Sequence, residues 1–232
     1  MKTIVSNAKD IAAEAAERIR ALLKRKPDAV IALTAGHSTA ILYAVLSRMR
    51  EEGEVSFQKA RLFAVTEYVG VEYEHSCRAV LERELINNID VEPSNVFYPD
   101  PDDCEGYDRL IERAGGLDLA VLGIGLNGHI GYNEPATPFD SRTHVQKLTD
   151  ATKRQLIASG SAPETLAERA VTMGIKTIIE ARDIILLAFG REKAAAVFEM
   201  VYGKTITYVP ASFLQIPLCT AVYLDEAAAE KL

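Results

Sequence analysis

Short, continuous apolar runs alternate along this chain with segments of helical periodicity. Runs that are apolar at every position are typical of parallel strands covered on both faces. We predict such strands at Ala29–Leu33, Arg61–Val65, Leu117–Gly123, Asp183–Phe189 and Thr220–Leu224. The intervening periodicity predicts helices at Ala8–Lys24, Ala40–Glu52, His75–Ile89, Thr165–Ala170 and Glu192–Tyr202. The alternation predicts an α/β protein with a doubly wound, mostly parallel sheet and helices on both faces.

Size and charge restrict the class of protein further. The chain has 232 residues with no repeat or Pro/Gly linker, and Pro93–Glu105 is best interpreted as a surface connection. We therefore expect a single domain over residues 1–232. The formal net charge of −7 argues against a nucleic-acid partner, because a phosphate backbone needs a basic face. It leaves room for a local basic pocket that binds one small anion.

Cysteine usage and hydropathy bear on location and cofactors. The apolar runs are too short to cross a bilayer, and no signal peptide is visible behind Met1. Cys77, Cys104 and Cys219 are far apart and have no metal-binding spacing. We expect a cytoplasmic protein with no membrane partner, no metal and no cofactor.

The segment Gly123–Glu134 is the most specific candidate site. Ligands of doubly wound sheets bind at the carboxyl ends of strands, and this segment follows a predicted buried strand. Its dense glycines predict an irregular backbone that a ligand can approach closely. His129 suits proton transfer near neutral pH, and Glu134 can orient it and stabilise its charged form. Asn127 can orient the same ring or bind a hydroxyl, so we favour a catalytic site over a turn with one buried histidine.

Two further segments have the composition of an anion site. Thr34–Thr39 lies between a strand and a helix, where Gly36 allows close approach. The hydroxyls of Ser38 and Thr39 would join the free N–H groups of the helix start. The same residues also suit an ordinary capped turn, so both interpretations stay open. Lys193 follows another strand and suits an anion, although the residue alone favours a solvated surface lysine.

Four other side chains leave two interpretations each. His37 is either a solvated loop residue or a group that faces a ligand. Glu67, directly after the second strand, is either catalytic or fixes its loop by hydrogen bonds. Arg142 and His144 either contact a ligand or anchor a segment that covers the site, and for Arg142 we favour anchoring.

Together these segments resemble the glucosamine-6-phosphate deaminase/isomerase family from about Ala29 onward. The strongest match is Gly-Ile-Gly-Leu-Asn-Gly-His-Ile-Gly-Tyr-Asn-Glu-Pro at 123–135, followed by Ser-Arg-Thr-His at 141–144. Glu-Tyr-Val-Gly at 67–70, Val-Thr-Met-Gly-Ile at 171–175 and the Gly-x-x-Lys motif ending at Lys193 support it. Val209–Leu214 and the short C-terminus are closer to the galactosamine-6-phosphate isomerase branch. The 6-phosphogluconolactonases share the superfamily but have a different glycine-histidine motif.

The resemblance implies a Rossmann-like fold and a metal-free aldose–ketose isomerisation. A 2-amino-2-deoxyhexose 6-phosphate is opened, isomerised through an enediol-type step, and converted to a ketohexose 6-phosphate and ammonia. By position, His129 would be the ring-opening acid/base, with Asn127, Glu134, Thr66 and Glu67 completing the catalytic set. The sugar phosphate would be held by Ala35, Gly36, His37, Ser38, Thr39, Gly128 and Lys193. The family includes monomers and hexamers, so a monomer and a homo-oligomer both remain open.

Three departures from the family pattern bear on the activity. Thr66 stands where the family has the aspartate that moves a proton between C2 and C1, and a threonine hydroxyl does not titrate near neutrality. Losing a general base commonly costs about 10²–10⁴ in rate. Residues 35–39 replace the usual Thr-Gly-x-Thr-Pro phosphate loop. Ala158 stands where the deaminases place a phosphate-binding arginine, which Lys153 or Arg154 would have to replace.

Three functions remain open on the sequence. The first is an amino-sugar-6-phosphate isomerase/deaminase, nearer the galactosamine type, with His37 or Glu67 as a relocated base. The second is a non-catalytic protein that binds sugar phosphates. The third is a sugar-phosphate lactonase or isomerase that uses His129 without the family's aspartate.

Overall fold

The structure, a computed structural model, describes residues 1–158, 167–217 and 219–232. Its strands are β1 Lys2–Val5, β2 Val30–Leu33, β3 Arg61–Ala64, β4 Thr66–Tyr68, β5 Val96–Phe97, β6 Leu119–Leu122, β7 His144–Lys147, β8 Arg169–Thr172, β9 Ile184–Ala188 and β10 Thr220–Leu224. Its α-helices are α1 Ala8–Arg25, α2 His37–Glu51, α3 Cys77–Glu84, α4 Cys104–Arg113, α5 Asp150–Ala158, α6 Ile175–Ile179 and α7 Ala194–Tyr202. Short 3₁₀ turns cover Tyr73–His75, Ile86–Asn88, Pro93–Asn95, Arg191–Lys193 and Pro210–Gln215.

Seven strands form one parallel sheet in the order β1-β10-β9-β6-β2-β3-β5. From β2 the chain builds toward β3 and β5, whereas from β6 it builds toward β9 and β10. The strand order therefore reverses between β2 and β6, and the loops that follow these two strands diverge at their carboxyl ends. A crevice at such a reversal is where doubly wound sheets bind ligands. The prediction of a doubly wound, mostly parallel sheet is confirmed.

Alternate residues of the central strands face two separate cores. On β2, Ile31 and Leu33 pack in a core shared with α1 and α2, whereas Val30 and Ala32 pack on the opposite face with α4 and α7. All four residues are buried. Because both faces of the sheet are covered by helices, these strands are apolar at every position, which is the pattern that made them predictable.

A second, three-stranded antiparallel sheet in the order β4-β8-β7 was not predicted. It also corrects one element, because the helix expected at Thr165–Ala170 is wrong where the structure describes it. Arg169–Thr172 is strand β8, and residues 165–166 lie outside the described residues. Pairing with strands on both sides overrides the weak local preference of this segment for a helix.

Helix boundaries differ from the prediction where a cap intervenes. The helix expected at His75–Ile89 is shortened, because the Ser76 hydroxyl accepts a hydrogen bond from the Ala79 N–H and starts α3 there. Similarly, Asp103 caps α4 inside the stretch expected to be a surface connection. Helix α2 begins at His37, so half of the predicted phosphate loop forms its first turn. Within the described residues, no helix combines the length and apolar character that a bilayer span requires.

Candidate active site

A cavity of about 670 Å³ opens at the carboxyl ends of β2, β6 and β9. Residues from five separate segments line it, as expected for a site at the strand reversal. The predicted site residues among them are Ala35, Gly36, His37, Ser38, Thr39, Thr66, His129 and Lys193. The other predicted site residues, Asn127, Gly128, Glu134 and Glu67, are not among the described residues that line this cavity.

The start of α2 forms one end of the cavity. Its N-cap is Gly36, and no side-chain cap bonds the helix start within the described part of the chain. The first N–H groups of α2 are therefore available to an anion, with the helix dipole in favour of negative charge. The Thr39 hydroxyl donates to the carbonyls of Thr34 and Gly36, at 2.9 Å each, so it shapes the loop. Ser38 and His37 are the loop side chains left for a ligand.

Lys193 lines the same cavity from the turn that follows β9. Its Nζ donates to the carbonyl of Ile124 at 2.7 Å, which ties it to the glycine-rich segment. Burial lowers the pKa of Lys193, and the charge of Glu192 opposes that effect. The lysine is therefore a partly buried cation in the cavity, and not the solvated surface residue that the sequence alone favours. Two of its N–H donors remain for an anion.

His129 also lines the cavity and is 7% exposed. Its Nδ1 is 3.3 Å from the Thr152 hydroxyl and 3.9 Å from Glu134 Oε2. Since Nδ1 faces these groups, Nε2 is the nitrogen that can reach a ligand. Burial lowers the pKa of His129, the carboxylate of Glu134 opposes this, and the ammonium of Lys193 adds to it. The ring is consequently neutral near pH 7 and able to accept a proton.

Glu134 and Asn127 lie behind His129. The buried carboxylate of Glu134 accepts hydrogen bonds from the Thr149 N–H at 3.0 Å and from Asn127 Nδ2 at 2.7 Å. Asn127 Oδ1 in turn accepts from the His129 N–H at 3.2 Å. The structure thus brings the three predicted residues together, with Asn127 and Glu134 holding the segment that carries His129.

Gly125 is required by the position of the imidazole. A Cβ at this residue would lie 2.2 Å from His129 Cε1, far inside van der Waals contact. Gly128, predicted to bind the ligand, instead donates its N–H to Gly125 and accepts from the Ala211 N–H. Its φ of +81° favours glycine, so this residue shapes the backbone.

Thr66 lines the cavity in contact with Cys77. Its hydroxyl donates to Cys77 Sγ at 3.6 Å, and both residues are buried. Burial raises the pKa of the Cys77 thiol to about 12, and the charge of Glu67 adds to that effect. Neither the hydroxyl nor the thiol titrates near neutrality, so this pair does not substitute for a carboxylate.

Glu67 contacts backbone, not the cavity. Its Oε1 accepts hydrogen bonds from the N–H groups of Tyr68 and Cys77, at 2.6 and 2.9 Å, and its Oε2 accepts from the Arg78 N–H at 2.9 Å. A carboxylate at the start of a helix satisfies N–H groups that lack intrahelical partners. The geometry favours the interpretation that Glu67 fixes its loop.

The side chains considered for covering the site lie away from it. Arg142 pairs with Glu180 at 2.6 Å, which supports an anchoring role. His144 Nδ1 is 2.8 Å from the Arg142 carbonyl. Lys153 pairs with Glu168 at 3.0 Å, and neither it nor Arg154 lines the cavity.

Sequence reasoning missed several residues of the cavity. Cys77, Val80, Arg83 and Glu84 line it from one face of α3, and Gln155 lines it from α5. Their i, i+3 and i+7 spacing was visible, since such residues share a helix face. What the sequence did not show is that this face of α3 turns toward the carboxyl ends of β2 and β6.

Comparison with known proteins places this site in a family. A family model described as glucosamine-6-phosphate isomerases/6-phosphogluconolactonase matches residues 4–220. The chain belongs to this family of enzymes. Glucosamine-6-phosphate deaminases of Hahella chejuensis and an Arthrobacter strain are 42% and 40% identical to it. The match with the Hahella protein covers 100% of this chain and 92% of that protein. The match with the Arthrobacter protein covers 99% of this chain and 91% of that protein.

Solved structures show the same relationship. A monomeric glucosamine-6-phosphate deaminase superposes with a TM-score of 0.96 at 32% identity, with 100% of both chains covered. The 6-phosphogluconolactonase of Thermotoga maritima has a TM-score of 0.76 at 18% identity, with 96% and 97% of the two chains covered, and shares the fold. The family resemblance inferred from the glycine-histidine motif is confirmed. The preference for the galactosamine branch stays a prediction, because the deaminases named here are of the glucosamine type.

Proposed function

We propose that this protein converts a 2-amino-2-deoxyhexose 6-phosphate, with glucosamine 6-phosphate as the first candidate, to a ketohexose 6-phosphate and ammonia. The observation that carries this proposal is the arrangement of the cavity. A neutral, buried His129, the open start of α2 and the partly buried cation Lys193 all line this one cavity. The names of the deaminase relatives support the choice of substrate.

Ring opening is the step that the geometry supports best. The free Nε2 of His129 accepts the proton of the anomeric hydroxyl, the bond between C1 and the ring oxygen breaks, and the ring oxygen receives the proton. Glu134, whose Oε2 is 3.9 Å from Nδ1, stabilises the imidazolium that forms in between. Asn127 and Thr149 keep this carboxylate in place.

Isomerisation then requires a base for the proton on C2. The proton moves from C2 to C1, the nitrogen-bearing C2 becomes an imine, and water replaces nitrogen so that ammonia leaves. Of the two relocated bases considered, Glu67 is engaged by backbone N–H groups, whereas His37 is exposed at the edge of the cavity. His37 begins α2, whose first N–H groups are proposed to bind the phosphate, so we assign neither residue as the base at C2.

The test is a turnover assay with both amino sugars. Purified protein is incubated with glucosamine 6-phosphate and with galactosamine 6-phosphate, and ammonia and ketose phosphate are measured. We expect stoichiometric release of both products, and loss of activity in His129→Gln but not in His144→Gln, whose side chain is outside the cavity. If the protein turns over neither glucosamine 6-phosphate nor galactosamine 6-phosphate, the proposal is wrong.

A non-catalytic protein that binds sugar phosphates is the second candidate. The observation that favours it is the Thr66–Cys77 pair at the position of the missing carboxylate. It predicts that sugar phosphates raise the melting temperature without being consumed, because a ligand of the native state alone stabilises that state. A sugar-phosphate lactonase is tested in parallel by an assay of lactone hydrolysis.

We further propose that the protein works as a monomer in the cytoplasm. The monomeric deaminase that superposes over the whole chain supports the first part. Light scattering coupled to size-exclusion chromatography should give a mass near the 25.4 kDa of one chain. A hexamer would contradict this part while leaving the reaction untouched.

A further inference from the structure

Few lysine and arginine side chains of the described residues line the cavity that would hold the phosphate. A phosphate monoester carries about −1.5 to −2 charges near neutral pH. Among the lysines and arginines that the structure describes, Lys193 and Arg83 line the cavity. Ala158 also lines it, and so occupies the wall where the resembling deaminases have an arginine. Lys193 alone leaves part of the phosphate charge without a cation.

We infer that Arg83, on α3, is the second cation that binds the substrate phosphate. This inference rests on the proposed function, since it concerns the same site and the same phosphorylated sugar. It assigns a binding role to helix α3, whose first residue, Cys77, contacts Thr66 in the same cavity.

The length of α3 matches the length of the substrate. At its start, Cys77 contacts Thr66, near the position where C1 and C2 react. Arg83, six residues later, also lines the cavity and lies about 9 Å further along the helix axis. An extended hexose 6-phosphate separates its first two carbons from its phosphate by a similar distance. Helix α3 therefore lines the cavity over about the length of the ligand.

Helix α3 contacts α2, the helix whose start is available to an anion. Tyr43, on α2, donates its hydroxyl to the Thr34 carbonyl at 2.8 Å, directly below the loop. Burial raises the pKa of Tyr43, and the charge of Glu84 adds to that effect, so Glu84 is close to this tyrosine. Arg83 precedes Glu84, and both line the cavity. Arg83 and the first residues of α2, whose N–H groups would hold the phosphate, thus line the same cavity.

Arg83 is free to turn toward a ligand. Its side chain is 65% exposed, and Nη2 is 3.4 Å from Glu84 Oε1, a long contact. An exposed pair of this kind contributes little to stability, and a guanidinium has five N–H donors in a fork that fits phosphate. The second oxygen of Glu84, Oε2, is buried without a hydrogen-bond partner among the described residues. A substrate hydroxyl beside the phosphate would supply the donor that this oxygen lacks.

Arg83→Gln tests the assignment, with Arg154→Gln as a matched control on an exposed arginine outside the cavity. A charge-assisted hydrogen bond contributes about 1.5–3 kcal/mol, so Arg83→Gln should raise KM for glucosamine 6-phosphate by roughly 10–150-fold. We expect kcat, and kcat/KM for unphosphorylated glucosamine, to change little. Arg154→Gln should behave as the wild type.

A second measurement separates this inference from the proposed reaction. Inorganic phosphate should raise the melting temperatures of the wild type and of Arg154→Gln. It should raise the melting temperature of Arg83→Gln much less. An unchanged KM together with unchanged stabilisation by phosphate in Arg83→Gln overturns the role of Arg83 and leaves the reaction standing. An inactive wild type whose stabilisation by phosphate is lost in Arg83→Gln overturns the reaction and keeps Arg83. An active wild type that phosphate does not stabilise, together with an unchanged KM in Arg83→Gln, overturns the role of Arg83 alone.

Discussion

His129 lies between two groups that shift its pKa in opposite directions. Burial lowers the pKa, Glu134 raises it, and Lys193 lowers it, with burial the largest effect. The ring is therefore uncharged at neutral pH but has a carboxylate behind it that stabilises the proton once it arrives. Such a residue is a general base whose working range extends to acid pH.

This balance gives a prediction for the pH dependence. A general base must be deprotonated in the free enzyme, so kcat/KM falls as pH drops through the pKa of His129. Because that pKa is lowered, we expect the acid limb below the ordinary histidine value of about 6.5. Steady-state rates from pH 4.5 to 8.5 measure it. An acid limb centred above 6.5 would show that another group, or a charged His129, governs the rate.

Thr66 is the residue at which a carboxylate can be restored. Thr66→Asp places an acid beside Cys77, facing the cavity, where the resembling enzymes have their base. If the base has been lost, we expect deaminase kcat to rise by about 10²-fold or more, the usual contribution of a general base. Thr66→Asn is the uncharged control and should give no gain. Equal rates for wild type and Thr66→Asp would indicate that another residue already serves.

The sequence predicted the residues of this site that lie in loops after strands, since strand ends mark them. His129, Lys193 and the start of α2 are examples. The roles of Glu67 and Arg83 could not be predicted, because each depends on which way α3 faces. A carboxylate next to the family's motif suits catalysis on chemical grounds alone, and only its contacts with the Cys77 and Arg78 N–H groups show that it caps a helix.

At the scale of elements, α3 is held to the sheet at its first turn. Glu67, on β4, accepts from the N–H groups of Cys77 and Arg78, and the Ser76 hydroxyl accepts from the Ala79 N–H. Strand β4, which follows β3 in the chain, therefore sets the position of helix α3, and α3 lines the cavity. Loss of this cap affects stability and the shape of the site together.

Glu67→Gln tests this connection. The amide keeps the shape but loses the charge and one acceptor, so two N–H groups at the start of α3 are less well bonded. We expect the free energy of unfolding to fall by about 1–3 kcal/mol, measured by urea denaturation. Glu72→Gln, at an exposed carboxylate in the next turn, should be neutral. An unchanged stability in Glu67→Gln, with activity abolished, would instead favour the catalytic interpretation.

The elements differ in how far the sequence predicts them. Five of the seven strands of the parallel sheet, β2, β3, β6, β9 and β10, are mostly apolar because helices cover both faces, and they were found within a few residues. The edge strands β1 and β5 are less buried and were not predicted. The small antiparallel sheet has polar strands, such as His144–Lys147, whose pattern resembles that of a loop. Its existence depends on pairing between β4, β7 and β8, which are distant in the chain, and no local pattern encodes it.

At the scale of the whole molecule, Asp118 joins several parts of the fold at the amino ends of the strands, opposite the cavity. Its carboxylate is 5% exposed and accepts from the Val30 N–H at 2.8 Å. It also pairs with Lys26 at 2.7 Å and with Arg182 at 3.1 Å. This one side chain therefore links the starts of β2 and β6 to the end of α1 and to the segment before β9.

The protonation of Asp118 should make the stability of the whole fold depend on pH. Burial raises the pKa of Asp118, but Lys26, the Val30 N–H and Arg182 outweigh it, and the pKa is lowered. A lowered pKa in the folded state gives stability that is present at pH 7 and lost as pH falls through the folded pKa, below about 4. Asp118→Asn should therefore lower the free energy of unfolding at pH 7 by about 1–3 kcal/mol, less than for a fully buried pair because both cations are partly exposed.

The pH series distinguishes charge from shape in this variant. Urea denaturation of wild type and Asp118→Asn should show a gap in the free energy of unfolding that is constant from pH 7 to pH 5 and narrows below about pH 4, where the unfolded chain begins to bind the proton that the folded carboxylate excludes. Asp28→Asn is the control, since that exposed carboxylate lies 3.6 Å from Arg61 and should contribute little at any pH. A gap that stays constant down to pH 3 would mean that Asp118 acts through its hydrogen bonds alone. The starts of β2 and β6 would then be joined by packing and backbone pairing, with the charges of Lys26 and Arg182 adding nothing to the stability of the sheet.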